Sequence, residues 1–234
     1  MLSALAWGDA GWGDEMLRAA FMTLAVAVSS FLLGIVLGTL GAAAKLSSLA
    51  PLRWLGEVYT VLVRGIPELL IIYLLFFGGS MAVMSLARGL FGYDGYVELN
   101  AFTTGTVAIG TISGAYATEV IRGAILSVPV GQIEAARACG MSGPLLAKRI
   151  MLPQVTRYAL PGLGNVWQNT LKNTALISVT GLVEIMRQSH IAAGSTRQPF
   201  LFFTIAAILF LILTSMSNVV FHRLETRAAV GTQR

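Results

Sequence analysis

Long stretches without a charged residue alternate with short polar segments along the chain. Four such stretches run between Arg18 and Lys45, between Glu68 and Arg88, between Glu98 and Glu119, and between Arg197 and His222. Each is close to the roughly 20 residues that a helix needs to cross a hydrocarbon core about 30 Å thick. The pattern therefore predicts membrane-spanning helices near residues 16–44, 58–87, 99–122 and 199–222.

A fifth span is predicted at residues 158–178, where apolar ends flank a polar centre. Lys172 and several amide side chains lie inside it, and such groups are expensive in lipid. We therefore expect this helix to face protein or a water-filled path, with a bend at Pro161. The chain is thus expected to be an all-α integral membrane protein, with five transmembrane helices in a single domain over residues 1–234.

The composition favours a membrane protein over a soluble one. Hydrophobic residues make up 56% of the chain and charged residues 12%, whereas soluble domains carry about 25% charged residues. The net charge of +5 requires no nucleic-acid partner, because lysine and arginine on the cytoplasmic side of a membrane account for it.

The distribution of charge predicts the orientation. Basic residues follow the first and third spans and the last one, at Lys45, Arg53, Arg122, Arg137, Lys148, Arg149, Arg157, Arg223, Arg227 and Arg234. Acidic residues concentrate on the other side, at Asp9, Asp14, Glu15, Asp94 and Glu98. By the positive-inside rule the N-terminus lies outside and the C-terminus in the cytoplasm, although Arg187 and Arg197 run against the trend.

The chain lacks the motifs of an enzyme that acts alone. It has no GxxxxGK[ST] phosphate-binding loop, and GAAAKLS from Gly41 lacks the required ending. The two histidines, His190 and His222, are far apart, so no metal site is predicted. We therefore expect neither catalytic residues nor a resident cofactor in this chain.

Two glycine pairs with GxxxG spacing lie inside predicted spans, Gly34 with Gly38 and Gly110 with Gly114. Such pairs let two helices approach closely, although glycine is common here, with 25 copies. We interpret both pairs as packing features.

The segment 129–154 is too polar to cross a bilayer and is predicted to be cytoplasmic. Its core, IEAARACGMSGPLLAKRIMLP, predicts a helix that Gly140 ends in a left-handed turn, and a second helix, about Gly143 to Met151, that Pro153 stops. It is either a solvated connector or a docking element for a cytoplasmic subunit. Seven residues with fixed spacing bear on this choice: Glu134, Ala135, Ala136, Gly140, Ile150, Leu152 and Pro153.

This spacing resembles the EAA signature in the permease subunits of bacterial ABC importers. The resemblance implies that the loop fits a cleft on an ATP-binding cassette subunit, so that closure of the cassettes moves the membrane helices. ATP would then be hydrolysed by a separate polypeptide, which agrees with the missing phosphate-binding loop.

The resemblance extends over nearly the whole chain. Four stretches are similar to permeases for histidine, lysine, arginine and ornithine, and to those for octopine and nopaline. They are YTVLVRGIPELLIIYLLFFG, which contains an Arg-Gly-x-Pro turn, GAYATEVIRGAILSVPVGQIEAA, RYALPGLGN and GSTRQPF. It implies a type I importer fold in the bacterial cytoplasmic (inner) membrane that imports a polar, in particular basic, amino acid or opine. The implied partners are cassette subunits, an extracytoplasmic binding protein and a second permease, either a copy or a paralogue.

Candidate residues for a translocation path lie in the span at residues 158–178, which is the fourth along the chain, and in the second span, at residues 58–87. Asn165, Asn169, Lys172 and Asn173 share roughly one helix face, and Lys172 could meet a substrate carboxylate. Glu68 is a further candidate, because many relatives have an uncharged residue there. Many relatives also have an acid in place of Asn173, so a paralogue could carry part of the site. The alternative is a polar seam between two permeases.

Charged residues also flank the predicted inner ends of the second and third spans. The pairs Arg64–Glu119 and Glu68–Arg122 are expected there. They would either close an inner gate or only lower the cost of charges near the headgroups.

The main alternative function is an ATP-independent channel or ion-coupled carrier. Such a protein should show internal repeats with paired broken helices, and no repeat relates the two halves of this sequence. A membrane scaffold without a path would not require polar residues clustered in one span.

Overall fold

The computed structural model of the chain describes residues 6–8, 11–92 and 100–229. Every regular element in these ranges is helical, as the hydrophobic pattern predicts. Four charged residues that entered the orientation prediction lie outside the described residues, namely Asp9, Asp94, Glu98 and Arg234.

The α-helices follow one another with short connections. They are α1 (Gly13–Lys45), α2 (Ala50–Gly65), α3 (Glu68–Tyr73), α4 (Gly79–Phe91), α5 (Ala101–Leu126), α6 (Val130–Ala138), α7 (Gly143–Leu146), α8 (Leu152–Asn173), α9 (Ile185–Thr196) and α10 (Pro199–Ala229). Wider π-helical turns at Leu74–Gly78 and Ala147–Met151 join α3 to α4 and α7 to α8, and a tighter 3-10 segment, Thr174–Thr180, follows α8.

Three helical segments in the described part of the chain are long and apolar enough to cross a membrane. They are Gly13–Lys45, Glu68–Ser85 and Pro199–Ala228. Helices α5 and α8 have 26 and 22 residues, about 39 and 33 Å of helix, but they carry many small or polar side chains. Because α1, α2 and α8 all pack against α5, its surface need not be apolar.

Apolar side chains form the core where α1, α3 and α5 meet the 3-10 segment. Val26, Ile72, Ile109, Ile112 and Ile177 are buried there. A second buried cluster joins the first half of α1 to α9 and α10. Helix α1 thus lies at the centre of the fold.

Helices α1 and α5 pack closely through glycine. A Cβ atom built at Gly34 would lie 2.8 Å from the Cβ of Ser113, and one built at Gly38 would lie 2.6 Å from the Cβ of Ala117. The GxxxG pair of α5 meets α1 side chains in the same way. Since nothing larger fits, these glycines set the distance between the two helices.

The predicted second span, residues 58–87, is interrupted. Helix α2 ends at Gly65, Ile66 is extended with ψ 140°, and the next helix begins after Pro67. Proline lacks a backbone N–H and disfavours helical backbone at the preceding residue, which explains the break.

The break lies about halfway along α5. The Tyr59 hydroxyl donates to the carbonyl of Thr111 at 2.7 Å, and the Arg64 guanidinium lies 5.4 Å from the centre of the Tyr116 ring. Thr111 and Tyr116 flank the midpoint of α5. These contacts place Arg64 near the middle of α5, because α2 already runs alongside α5 before the turn, whereas the sequence prediction places Arg64 and Glu68 at the inner end of the second span.

The helix that follows the loop turn does not stop at Pro153. Leu146, Met151 and Leu152 all have helical backbone, so α7, the π-helical turn and α8 form one continuous helix. A proline ring needs space over the preceding turn, and the wider turn at Ala147–Met151 provides it. The predicted separation of a short loop helix from the fourth span is therefore wrong.

Candidate functional site

The first docking residues lie on α6 and the turn that ends it. Glu134 and Ala135 are exposed, and Ala136 is buried. Gly140 has φ +77°, and its N–H donates to the carbonyl of Arg137 at 2.9 Å. The predicted left-handed turn at Gly140 is confirmed, and it reverses the chain between the two halves of the loop.

The remaining docking residues lie where the continuous helix begins. Leu152 and Pro153 are exposed, and Ile150 is half-buried. The Gln154 amide donates to Oε1 of Gln132, which ties the start of α8 to α6. Because α7 and α8 are one helix, a force applied to this loop passes directly along α8.

The predicted path residues of the fourth span lie on one side of α8. Asn165, Asn169 and Lys172 are exposed, and Asn173 is half-buried. The opposite side of the helix packs Trp167 against α1. Polar groups that face away from their own chain in a membrane protein require water or a second protein.

The turn between α2 and α3 brings Glu68 to α8. The half-buried Glu68 carboxylate lies close to the Asn173 side chain. Gly65 and Pro67 beside it are exposed. Non-helical backbone at membrane depth is tolerated where protein buries it or where it lines a water-filled cavity, so the exposed turn favours a cavity.

A charged cluster lies near the C-terminal ends of α1 and α5. The Lys45 ammonium lies 2.8 Å from the Glu57 carboxylate and also pairs with Glu119. Arg122 Nη1 lies 3.7 Å from Glu119. With its side chain only 4% exposed, Lys45 connects α1 to both α2 and α5.

These partners differ from the predicted ones. Among the described residues, Lys45 and Arg122 lie within ion-pair distance of Glu119. Arg64 does not, although its charge still acts on the Glu119 carboxylate. Helix α2 begins earlier than predicted, at Ala50, and its Arg64 lies against Tyr116 near the middle of α5. Sequence reasoning counted Lys45 only as a loop charge and gave it no partner.

Glu184 is a buried carboxyl group between the 3-10 segment and α9, outside the predicted spans. It accepts hydrogen bonds from the N–H groups of Met186 (2.9 Å) and Arg187 (2.7 Å), and so caps α9. The next residue, Ile185, donates its N–H to the Thr23 hydroxyl of α1 at 3.1 Å. Burial raises the pKa of Glu184 to about 7, although the two backbone hydrogen bonds oppose the shift. Sequence reasoning missed this group.

Known proteins match nearly the whole chain. A family model described as "Binding-protein-dependent transport system inner membrane component" matches residues 30–229. The chain is 56% identical to the nopaline transport system permease protein NocQ of Agrobacterium fabrum over 232 residues, 99% of this chain and 98% of that protein. It is 39% identical to the histidine/lysine/arginine/ornithine transport system permease protein HisQ of Escherichia coli, over 96% and 97% of the two chains.

A solved structure has the same fold. It is described as "Crystal structure of an amino acid ABC transporter with histidines" and superposes with a TM-score of 0.78 at 29% identity, covering 92% of this chain and 95% of that one. The family match includes the docking loop and the polar side of α8.

Proposed function

The chain belongs to the family of binding-protein-dependent transport system inner membrane components, and we propose that it translocates a basic amino acid or an opine. It is a permease subunit of an ABC importer in the bacterial inner membrane. Membership implies a separate ATP-binding cassette subunit and a substrate-binding protein, so an ATP-independent channel or carrier is not supported. The names of the two relatives, one for nopaline and one for histidine, lysine, arginine and ornithine, support the substrate class.

The substrate path runs between the broken α2–α3 segment and the polar side of α8. The contact between Glu68 and Asn173 carries this proposal, because it joins a charged residue at the helix break to the polar side of α8. Glu68 would meet the cationic side chain of the substrate, and Lys172 would meet a carboxylate. Asn165 and Asn169 would add neutral contacts that release the substrate readily.

Coupling to ATP hydrolysis runs through the docking loop. Its exposed acid and small residues on α6, followed by exposed Leu152 and Pro153, give a cassette subunit a surface with both charge and apolar contacts. The continuous α7–α8 helix would transmit the movement to the path, because Asn165 and Lys172 are on the same helix.

The remaining architecture is part of the proposal. Five spans, with the N-terminus outside and the C-terminus in the cytoplasm, place the docking loop on the cassette side. A second permease, a copy or a paralogue, would face the polar side of α8 and complete the path. If that side were only a seam between the permeases, its polar groups would contact protein in every state of transport.

The test is ATP hydrolysis by the reconstituted complex. This chain would be purified with its cassette subunit and second permease, placed in liposomes, and assayed with binding protein loaded with arginine or nopaline. The Glu134→Lys complex is expected to lose stimulation by roughly tenfold or more, because it places a like or unpaired charge in a docking contact. The matched control is Glu225→Lys, a charge reversal on α10 away from the loop.

Transport and coupling can fail separately. Full stimulation of the Glu134→Lys complex would contradict docking through this loop. If another solute stimulates ATP hydrolysis and no basic amino acid or opine does, the proposed substrate class is contradicted and the proposed coupling is not.

A further inference from the structure

An apolar groove of about 400 Å³ opens on the side of the molecule formed by α1, α8 and α10. Its lining includes Leu24 and Val28 of α1, Trp167 of α8, and Val220 and Leu224 of α10. This volume is in the range of roughly 300–1,000 Å³ that is typical of ligand pockets. We call it the α10 groove.

The α10 groove lies on the opposite side of α8 from the proposed substrate path. Trp167 belongs to the groove wall and is 7% exposed, whereas Asn165 and Asn169, two residues to either side, are exposed. Residues two apart on a helix point to nearly opposite sides. The groove is therefore not part of the path.

The surface around the groove has the character of a lipid-facing surface. Leu32 and Val36 of α1 and Leu211, Ile212 and Val219 of α10 are large apolar residues with 48–65% of their surface exposed. Helix α1 has no charged residue between Arg18 and Lys45. In the inner membrane such a groove is open to acyl chains.

The length of the groove matches one leaflet. Its lining on α10 extends from Leu213 to Leu224, which is about 16 Å of helix. This is half of a hydrocarbon core of about 30 Å. With the C-terminus in the cytoplasm, as proposed above, the Leu224 end lies toward the cytoplasmic surface.

Positive charge stands at the Leu224 end. Val220 and Leu224 line the groove, and Arg227 follows at the next helical spacing of the same stripe. Arg223 lies at the edge of that stripe, and both arginines are exposed. Neither is paired with an acid in the part of the chain that the structure describes.

We propose that the α10 groove binds one acyl chain of an anionic phospholipid, whose phosphate is held by Arg227 at the cytoplasmic surface. The combination of an apolar groove one leaflet long with unpaired cations at its end fits an anionic lipid better than a neutral one. A basic residue near the surface of an anionic membrane contributes about 1 kcal/mol to lipid attraction, or about fivefold in affinity. The assignment to the cytoplasmic leaflet rests on the orientation given in the proposed function, whereas the preference for an anionic lipid does not.

Native mass spectrometry of the purified complex tests the proposal. The permease–cassette complex would be delipidated and titrated with phosphatidylglycerol or phosphatidylcholine of equal chain length. Phosphatidylglycerol is expected to bind to one site for each copy of this chain, and more tightly than phosphatidylcholine. Arg227→Ala is expected to weaken phosphatidylglycerol about fivefold. It should weaken phosphatidylcholine less, because the choline cation offsets the charge of that lipid's phosphate. Arg53→Ala, an exposed arginine at the start of α2, is the matched control.

A second variant tests the groove itself. Val220→Trp should fill it and abolish the site for both lipids, whereas Val219→Trp should not, because Val219 is exposed on the same helix but does not line the groove. Equal binding of the two lipids to the native complex, or phosphatidylglycerol binding unaffected by Arg227→Ala, would overturn the proposal. A second permease copy that protects Val220 from lipid would do the same. ATPase assays on the same preparations show independently whether transport is intact.

Discussion

The contact between α1 and α5 is closed by small residues, whereas one side of α8 stays open with polar ones. Gly34 and Gly38 leave no space beside Ser113 and Ala117, so this contact excludes both water and ligand. Asn165, Asn169 and Lys172 are exposed, and none of them has a side-chain hydrogen bond or ion pair within residues 6–8, 11–92 and 100–229. We therefore expect the closed contact to contribute most to the stability of the subunit, and the proposed function assigns the open side to a substrate or a second permease.

Carboxyl groups show the same difference. Glu184 is enclosed between α1 and α9 and satisfies two backbone N–H groups, whereas Glu68 lies at an exposed helix break and meets Asn173. Variants on the closed side should change the free energy of unfolding. Variants on the open side should change transport and leave that free energy nearly unaltered.

Gly38→Leu is expected to have the largest effect on stability. The first atom of the new side chain would lie 2.6 Å from Ala117 Cβ and 3.1 Å from Ala117 backbone carbon, which cannot move without the helix. Overpacking usually costs about 1–3 kcal/mol and more where backbone must shift, so we expect too little folded complex to purify. The measurement is the yield of monodisperse complex in size-exclusion chromatography.

The matched control is Gly123→Leu, another glycine of the α1–α5 region that has open space around its Cβ position. It should purify normally. Equal amounts of purified complex from the two variants would mean that the α1–α5 contact can accommodate a large side chain and is not a closed surface.

Glu184 is expected to make the unfolding free energy depend on pH. Its pKa is about 7 in the folded chain against an ordinary value of 4.5, so the folded state binds the proton more tightly. The resulting stability is fully present below pH 4.5 and is lost as the pH rises through 7. Linkage gives a decrease of about 2.5 kcal/mol between pH 5 and pH 8.

Denaturant titration of the native complex and of Glu184→Gln at pH 5, 6, 7 and 8 measures this slope. The amide does not titrate, and its one oxygen can accept only one of the two N–H groups, because Met186 donates to Oε2 and Arg187 to Oε1 of the native carboxylate. We therefore expect Glu184→Gln to be less stable than the native complex, with the pH-dependent part of the unfolding free energy removed. A flatter profile in Glu184→Gln is the expected result, and identical profiles would assign the pH dependence to other groups.

Lys45→Met is expected to lower the unfolding free energy by about 2 kcal/mol. Removing one partner of a buried pair costs about 3–5 kcal/mol, and the effect is smaller here because Glu57 and Glu119 are 57% and 28% exposed and Arg122 remains beside Glu119. The double variant Lys45→Met/Glu119→Gln should recover about 1 kcal/mol in a double-mutant cycle. Strictly additive effects would show that the cluster is a set of independent surface charges.

The sequence predicts the helical class, the family and the turn at Gly140, because each depends on a local pattern. A charge-free run of span length can be recognised without knowing which helices pack together. A glycine at the end of a predicted helix indicates a left-handed backbone conformation at that position. The contact of Arg64 with the middle of α5 was not predicted for a related reason, because the predicted second span begins where the apolar run begins. Helix α2 begins earlier, at Ala50. It packs on α5 along one side, so the side chains on its other side need not be apolar.

Pairing between distant residues is harder to predict, and Lys45 shows which signal was missed. Lys45 follows Gly34 by 11 residues, and Arg122 follows Gly110 by 12. Pairing the two GxxxG motifs in parallel would have placed Lys45 beside Glu119 and Arg122. The proximity of Glu68 to Asn173 had no such signal in the sequence, because it depends on how the helix break at Ile66–Pro67 directs the next helix.

Glu68→Gln is expected to have the smallest effect on stability and a clear effect on transport. The carboxylate is half-buried at an exposed turn, so the amide should change the unfolding free energy by no more than about 0.5 kcal/mol. Loss of a charged contact with a cationic substrate should reduce uptake of arginine at low concentration about tenfold, which corresponds to about 1.4 kcal/mol. Uptake into liposomes with ATP inside measures this directly, with Glu225→Gln as the control acid.

Lys172→Gln separates a substrate path from a polar seam. In a path it should weaken uptake of every substrate with a carboxylate, whatever the side chain, whereas Glu68→Gln should discriminate against cationic side chains alone. In a seam both variants would instead weaken the association of the two permeases, and the complex would dissociate in detergent before uptake could be measured. An intact complex whose selectivity for cationic over neutral amino acids is the same with glutamate or glutamine at position 68 would exclude Glu68 from the path.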